Sequence, residues 1–181
     1  MRVSDDRYDR DRMRLDLALR FMRHEARTHT IRKWTGLTDD RIRKLYRSYF
    51  MDVSQPVTRH RGKSPQQASF FMRSPRIQQE TSVLASLYCL LGVMPASFVV
   101  DKAHPIPGVA RGERLCQAFE AYRALVPSSQ ITFEHAVLLV NALAQGDELK
   151  LCGCVDCGGL AVVDSLEDVA TVRCSHCATD C

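Results

Sequence analysis

The sequence predicts a mainly α protein: a helical domain with a helix-turn-helix-like segment, followed by a small C-terminal four-cysteine module of zinc-ribbon type. Three observations carry that class. Apolar residues recur at helical spacing in segment after segment from Met13 to Gln145. A short helical hairpin with a basic outer face is written around Gly36. Two C-x2-C pairs then stand in a stretch whose pattern changes to short strand-like runs.

In chain order, RDRMRLDLALRFMRHEARTH places Met13, Leu17 and Phe21 on one helical face, with Leu15 and Met22 a step off phase. TIRKWTGLTDDRIRKLYRSYF, residues 30–50, reads as two helices with a sharp turn at Gly36. Thr38 can N-cap the second helix, and Asp39 and Asp40 then lie in its first turn, where the helix dipole favours them. SQPVTRHRGKSPQQ, with two prolines and a glycine among basic residues, reads as a loop. Helices resume after Pro75, again over 111–126 up to Pro127, and over FEHAVLLVNALAQ before Gly146, with KAHPIPG as a turn-rich linker. From Leu149 the runs LAVVD and VATVR are strand-like. The expected organisation is therefore N-terminal helices over 1–53, a basic loop over 54–75, a helical core over 76–148 and a cysteine module over 149–181.

Several classes are disfavoured. The charged N-terminus MRVSDDRYDRDRMRLD lacks the apolar core of a secretory signal, so eight cysteines are expected to be reduced and to serve metal binding before disulfides. Residues 81–100 carry no formal charge and could match a bilayer in length, but Gly92, Pro95 and interspersed hydroxyls favour a buried helix followed by a turn. No P-loop, nucleophile elbow, zinc-protease or dinucleotide motif is present, and no enzyme is expected.

Charge is uneven. Residues 1–76 hold 19 Lys and Arg against 9 Asp and Glu, whereas residues 77–181 hold 6 against 12. The basic half suits a polyanion. In the hairpin, Ile31, Trp34, Leu37, Ile42, Leu45 and Tyr46 supply the packed side, leaving Arg41, Arg43, Lys44 and Arg47 outward, able to reach phosphates or guanine edges. Arg59, Arg61 and Lys63 of the loop extend this candidate DNA-binding set. Arg32 stands where a small residue usually lets the two helices approach, and an ordinary αα-hairpin with a basic face is the competing reading.

Cys154 and Cys157, then Cys174 and Cys177, form two C-x2-C pairs sixteen residues apart, the zinc-ribbon spacing. Two intervening residues let the chain turn so that both thiolates converge on one ion. Four protein ligands leave no open position, which makes such a site structural. Cys152 is the complication: it could replace Cys154 or stand by. His176 is expected at the surface, Cys89 and Cys116 in the core, and Cys181 is a terminal thiol.

These residues together resemble the FlhC family, the zinc-containing subunits of the bacterial flagellar master activator FlhD–FlhC. WTGLTDDRIRKLY, the RHRGKSP loop and C-x-x-C-G-G…C-x-x-C carry the likeness, which with the helical middle extends over most of residues 14–177. The resemblance implies a cytoplasmic transcriptional activator that joins FlhD in a heterohexamer of four FlhD and two FlhC chains. It further implies binding to promoter DNA, recruitment of RNA polymerase to flagellar operons, and one zinc per chain on Cys154, Cys157, Cys174 and Cys177. Cys152 is not required by the family pattern. The alternative class is a zinc-stabilised protein-interaction adaptor that does not contact DNA.

Overall fold

The computed structural model describes residues 2–50, 57–58, 60, 62–95 and 108–178, with side chains from Arg7 onward. The chain divides into two compact units, one of residues 1–64 and 106–116, the other of residues 65–105 and 117–181. The first holds 19 Lys and Arg against 10 Asp and Glu, the second 6 against 11, so the charge asymmetry of the sequence follows the units.

The first unit is built from α1 (Arg2–Arg23), α2 (Thr28–Thr35), α3 (Asp39–Phe50) and the opening turns of α5 (Val109–Leu125). α1 buries Leu17, Ala18, Phe21 and Met22. Met13, expected on that face, is 58% exposed. The helix ends in a Schellman turn: Ala26 N–H reaches Phe21 O at 3.0 Å and Glu25 N–H reaches Met22 O at 2.9 Å. Glu25 takes the left-handed position at φ 59° that glycine usually fills. Phe21 meets Trp34 at 6.0 Å between ring centroids. α2 stops at Gly36, whose φ of 71° turns the chain into α3. Thr38 caps α3 as expected, its Oγ1 accepting from Arg41 N–H at 3.4 Å. α5 approaches α1 closely at Gly112, where a Cβ would lie 2.6 Å from Leu17 Cδ2.

The second unit holds a 3₁₀ turn (Ala68–Met72) within the expected loop, α4 (Pro75–Leu90), the rest of α5, α6 (Phe133–Gln145) and a hairpin. Pro75 opens α4 under a Ser74 N-cap. Thr132 caps α6 in a capping box completed by His135, and Gly146 closes it at φ 70°. Tyr88 O–H donates to Ala136 O at 2.8 Å, tying α4 to α6. Glu80 is 5% exposed, yet its carboxylate is held by Arg76 at 2.9 Å, Ser129 Oγ at 2.9 Å and Tyr122 O–H at 3.0 Å. Burial pushes its pKa up, and these donors together outweigh burial and bring it below the ordinary value.

β1 (Leu149–Gly153) and β2 (Leu160–Asp164) pair antiparallel in the register Leu149↔Asp164 to Gly153↔Leu160. LAVVD is thus a strand. VATVR is not: Val169–Thr171 forms a 3₁₀ turn, with Asp168 accepting from Ala170 N–H at 3.1 Å, and Val172 then enters the core. The partner of LAVVD is the cysteine-containing run LKLCG. Both faces of the hairpin are covered. Leu149, Leu151 and Val162 are buried on one face; α6 neighbours β1 and α4 neighbours β2, where Ser82 Oγ accepts from Val162 N–H at 3.4 Å. Cys152, Ala161 and Val163 pack with Val172 and Cys174 on the other side. Among the described residues no helix is long and apolar enough to cross a membrane; α4 ends at Leu90, and residues 96–100 of the uncharged stretch lie outside the described set.

Candidate metal centre and basic hairpin

The β1–β2 connection is the first cysteine knuckle. Cys154 N–H donates to Gly159 O at 2.8 Å and Gly158 N–H to Cys154 O at 2.9 Å, folding residues 154–159 into a tight turn. Gly158, at φ 69°, supplies a backbone conformation that side-chain-bearing residues rarely adopt. The second knuckle is a turn closed by Ala178 N–H on Cys174 O at 3.0 Å. Val155 N–H donates to Val172 O at 2.9 Å, and Arg173 pairs with Asp156 at 3.2 Å, so the two knuckles are fastened to each other by backbone and by charge.

The sulfurs of Cys154, Cys157, Cys174 and Cys177 lie within 4.8 Å of one another, with Cys157 and Cys174 at 3.8 Å. A tetrahedral zinc with bonds of about 2.3 Å requires sulfurs about 3.8 Å apart, so the donor set fits a four-thiolate ion. Backbone N–H groups point at the sulfurs: Cys174 to Cys154 Sγ at 3.2 Å, Gly159 to Cys157 Sγ at 3.4 Å, and Cys177 to Cys174 Sγ at 3.4 Å. Such donors favour thiolate. The N–H of Cys174, then that of Cys157, draws the Cys154 thiol down to about 6. The neighbouring sulfurs of Cys174 and Cys157 push Cys177 up instead. Four sulfurs this close cannot all carry negative charge unless a cation compensates them.

Cys152 is excluded from this group. It is fully buried, its Sγ donates to Ala161 O at 3.7 Å, and the strand alternation turns it into the small apolar cluster, away from Cys154. His176 is exposed, as expected for a residue between two ligands. Cys116 is fully buried and Cys89 half-buried, while Cys181 lies outside the described residues.

The second candidate site is the α2–turn–α3 hairpin. Ile31, Trp34, Leu37 and Ile42 are buried; Leu45 and Tyr46 are half-buried at the edge of the packed side. Arg41, Arg43, Lys44 and Arg47 are all exposed. Arg32, also exposed, pairs with Asp39 at 3.6 Å and so does not obstruct the approach of the helices. Arg41 contacts Asp11 at 3.3 Å and Arg43 contacts Asp40 at 3.0 Å. Lys44 and Arg47 have no carboxylate partner among the described residues. Lys63 is exposed; Arg59 and Arg61 lie outside the described set. A further basic feature was not singled out by motif: Arg7, Arg10 and Arg14 line a shallow groove with Arg41 and Asp11. The signal for it is the i, i+3, i+7 spacing of the three arginines.

No protein-family model and no curated protein matches this chain. The chemistry of the two sites therefore rests on their own geometry.

Proposed function

We propose that the chain is a DNA-binding transcriptional activator of the FlhC type, acting in the cytoplasm with FlhD to activate flagellar operons by recruiting RNA polymerase. The observation that carries this reading is the hairpin: α3 packs through Ile42 and Phe50 and leaves Arg41, Arg43, Lys44 and Arg47 exposed. A short helix held by a glycine turn, with cations along its free face, is the arrangement that enters a major groove. The likeness of WTGLTDDRIRKLY and the cysteine spacing to FlhC supports the assembly of two such chains with four FlhD chains. In this reading the four cysteines hold one structural zinc, which supplies charge compensation and cross-linking and takes part in no reaction. No group of the chain is assigned to catalysis.

The test is a gel-shift and footprinting assay on flagellar promoter DNA, with the full chain alone and with co-expressed FlhD. A salt-dependent complex is expected. Arg43→Ala and Lys44→Ala should weaken it without altering the circular dichroism spectrum. No complex in either condition would remove the reading. The alternative is a zinc-stabilised protein-interaction adaptor that does not contact DNA. In that case an acidic partner would bind at the α3 face, and DNA would not compete with it.

A further inference from the structure

We propose that Cys157 is a peroxide-sensitive modification site: a peroxide oxidises its sulfur, Cys174 closes on it as a disulfide, and the bound metal is released. The proposal rests on the four-cysteine centre and is independent of the DNA-binding reading. The four sulfurs are unequally accessible. Cys154 is 3% exposed, Cys174 and Cys177 are half-buried, and Cys157 alone of the four is exposed. Residue 159 is part of the reason. A Cβ there would lie 3.3 Å from Cys157 Sγ, so glycine leaves that side of the sulfur uncovered. A cysteine that holds a metal does so as thiolate, which is also the form that attacks an oxidant.

Cys174 Sγ lies 3.8 Å from Cys157 Sγ, and a disulfide of about 2.05 Å leaves a gap of about 1.8 Å to close. The two cysteines belong to different knuckles, which Val155 N–H on Val172 O and Arg173 on Asp156 already hold together. Bond formation thus needs no rearrangement of one knuckle against the other. The chemistry balances. The Cys157 thiolate attacks one oxygen of hydrogen peroxide; an S–O bond forms, the O–O bond breaks, and the departing hydroxide takes a proton. The Cys174 thiolate then attacks the sulfenic sulfur; an S–S bond forms, the S–O bond breaks, and a second hydroxide leaves and is protonated to water. Two electrons pass from the two sulfurs to the peroxide. Cys154 and Cys177 remain as thiolates, and two ligands do not close a tetrahedral site, so the metal is lost without itself being oxidised or reduced.

The experiment treats the full chain, loaded with zinc, with hydrogen peroxide. Metal release is followed with a chromogenic chelator and the sulfur bonds by mass spectrometry of tryptic peptides. Trypsin cuts after Lys150 and Arg173, so a bond between the knuckles joins two peptides, whereas a bond within a knuckle joins none. A Cys157–Cys174 bond is expected, with one metal released per bond and reversal of the bond by dithiothreitol. Gly159→Ala covers the sulfur and should slow both readouts several-fold, starting from the metal-bound state. Gly153→Ala, whose Cβ meets nothing closer than 4.0 Å, should leave them unchanged. A bond from Cys157 to any other cysteine, or a bond within either knuckle, would overturn the pairing. Cys157 carried on to sulfinic acid while Cys174 stays reduced would do the same. Equal rates in Gly159→Ala and the wild type would remove Cys157 as the point of attack. A chain that takes up no zinc would overturn the release step, and four intact thiols with metal retained under peroxide would overturn the whole proposal.

Discussion

Cys154 has its sulfur among three others, with the Cys174 N–H directed at it from 3.2 Å, whereas Cys152, two positions earlier, hydrogen-bonds inward to Ala161 O. The distinction sets opposite outcomes for the same substitution. Cys154→Ser removes one of four ligands and should abolish stoichiometric metal, read as metal per chain in the purified protein. Cys152→Ser should keep the metal and lower stability by about 1 to 3 kcal/mol, the cost of a buried hydroxyl where a thiol packed, read as a fall in unfolding midpoint. Loss of metal in Cys152→Ser alone would contradict the ligand set. The grouping of the four cysteines was legible from spacing, because a C-x2-C turn is a local device. The fate of Cys152 was not, since it depends on strand β1, and LKLCG reads as a strand only when its partner LAVVD is known.

Helices were legible where local chemistry punctuates them: Pro75 at the start of α4, and Gly36 and Gly146 after α2 and α6. What local chemistry omits is where a helix finds neighbours. Met13 continues the apolar spacing of α1, yet it is exposed where Leu17 and Phe21 are buried. Gly112 is the converse case, an unremarkable glycine inside a helix until the closeness of α1 gives it a reason. A Cβ there meets Leu17 Cδ2 at 2.6 Å, while one at Gly108 meets nothing within 4 Å. Gly112→Ala should therefore cost about 1 to 3 kcal/mol through overpacking, despite the better helix propensity of alanine. Gly108→Ala, which meets no neighbour but puts alanine at the N-cap of α5, should cost less than Gly112→Ala. Thermal denaturation of the two variants side by side checks the contrast, and equal midpoints would contradict the close α1–α5 contact.

At the scale of the whole molecule, charge and cross-linking belong to different units: the basic surface to the first, the cysteine centre to the second. The cluster beneath the cysteines comprises only Cys152, Ala161, Val163 and Val172, with Cys174 packed on it, too little apolar area to hold the knuckles alone. The other face of the hairpin is buried through Leu149, Leu151 and Val162 with the support of α4 and α6, which needs no metal. Stripping the metal with a chelator under reducing conditions should therefore melt residues 154–159 and 172–178 while leaving β1, β2 and the helices in place. Hydrogen exchange should show fast exchange at the N–H groups of Cys154, Cys174 and Cys177 and continued protection in α4, α6 and Val162. Circular dichroism should retain its helical signal. On this expectation a bound metal holds the knuckles together, and the helices hold the hairpin. A cooperative loss of all helical protection on chelation would mean instead that the centre governs the second unit as one folding element.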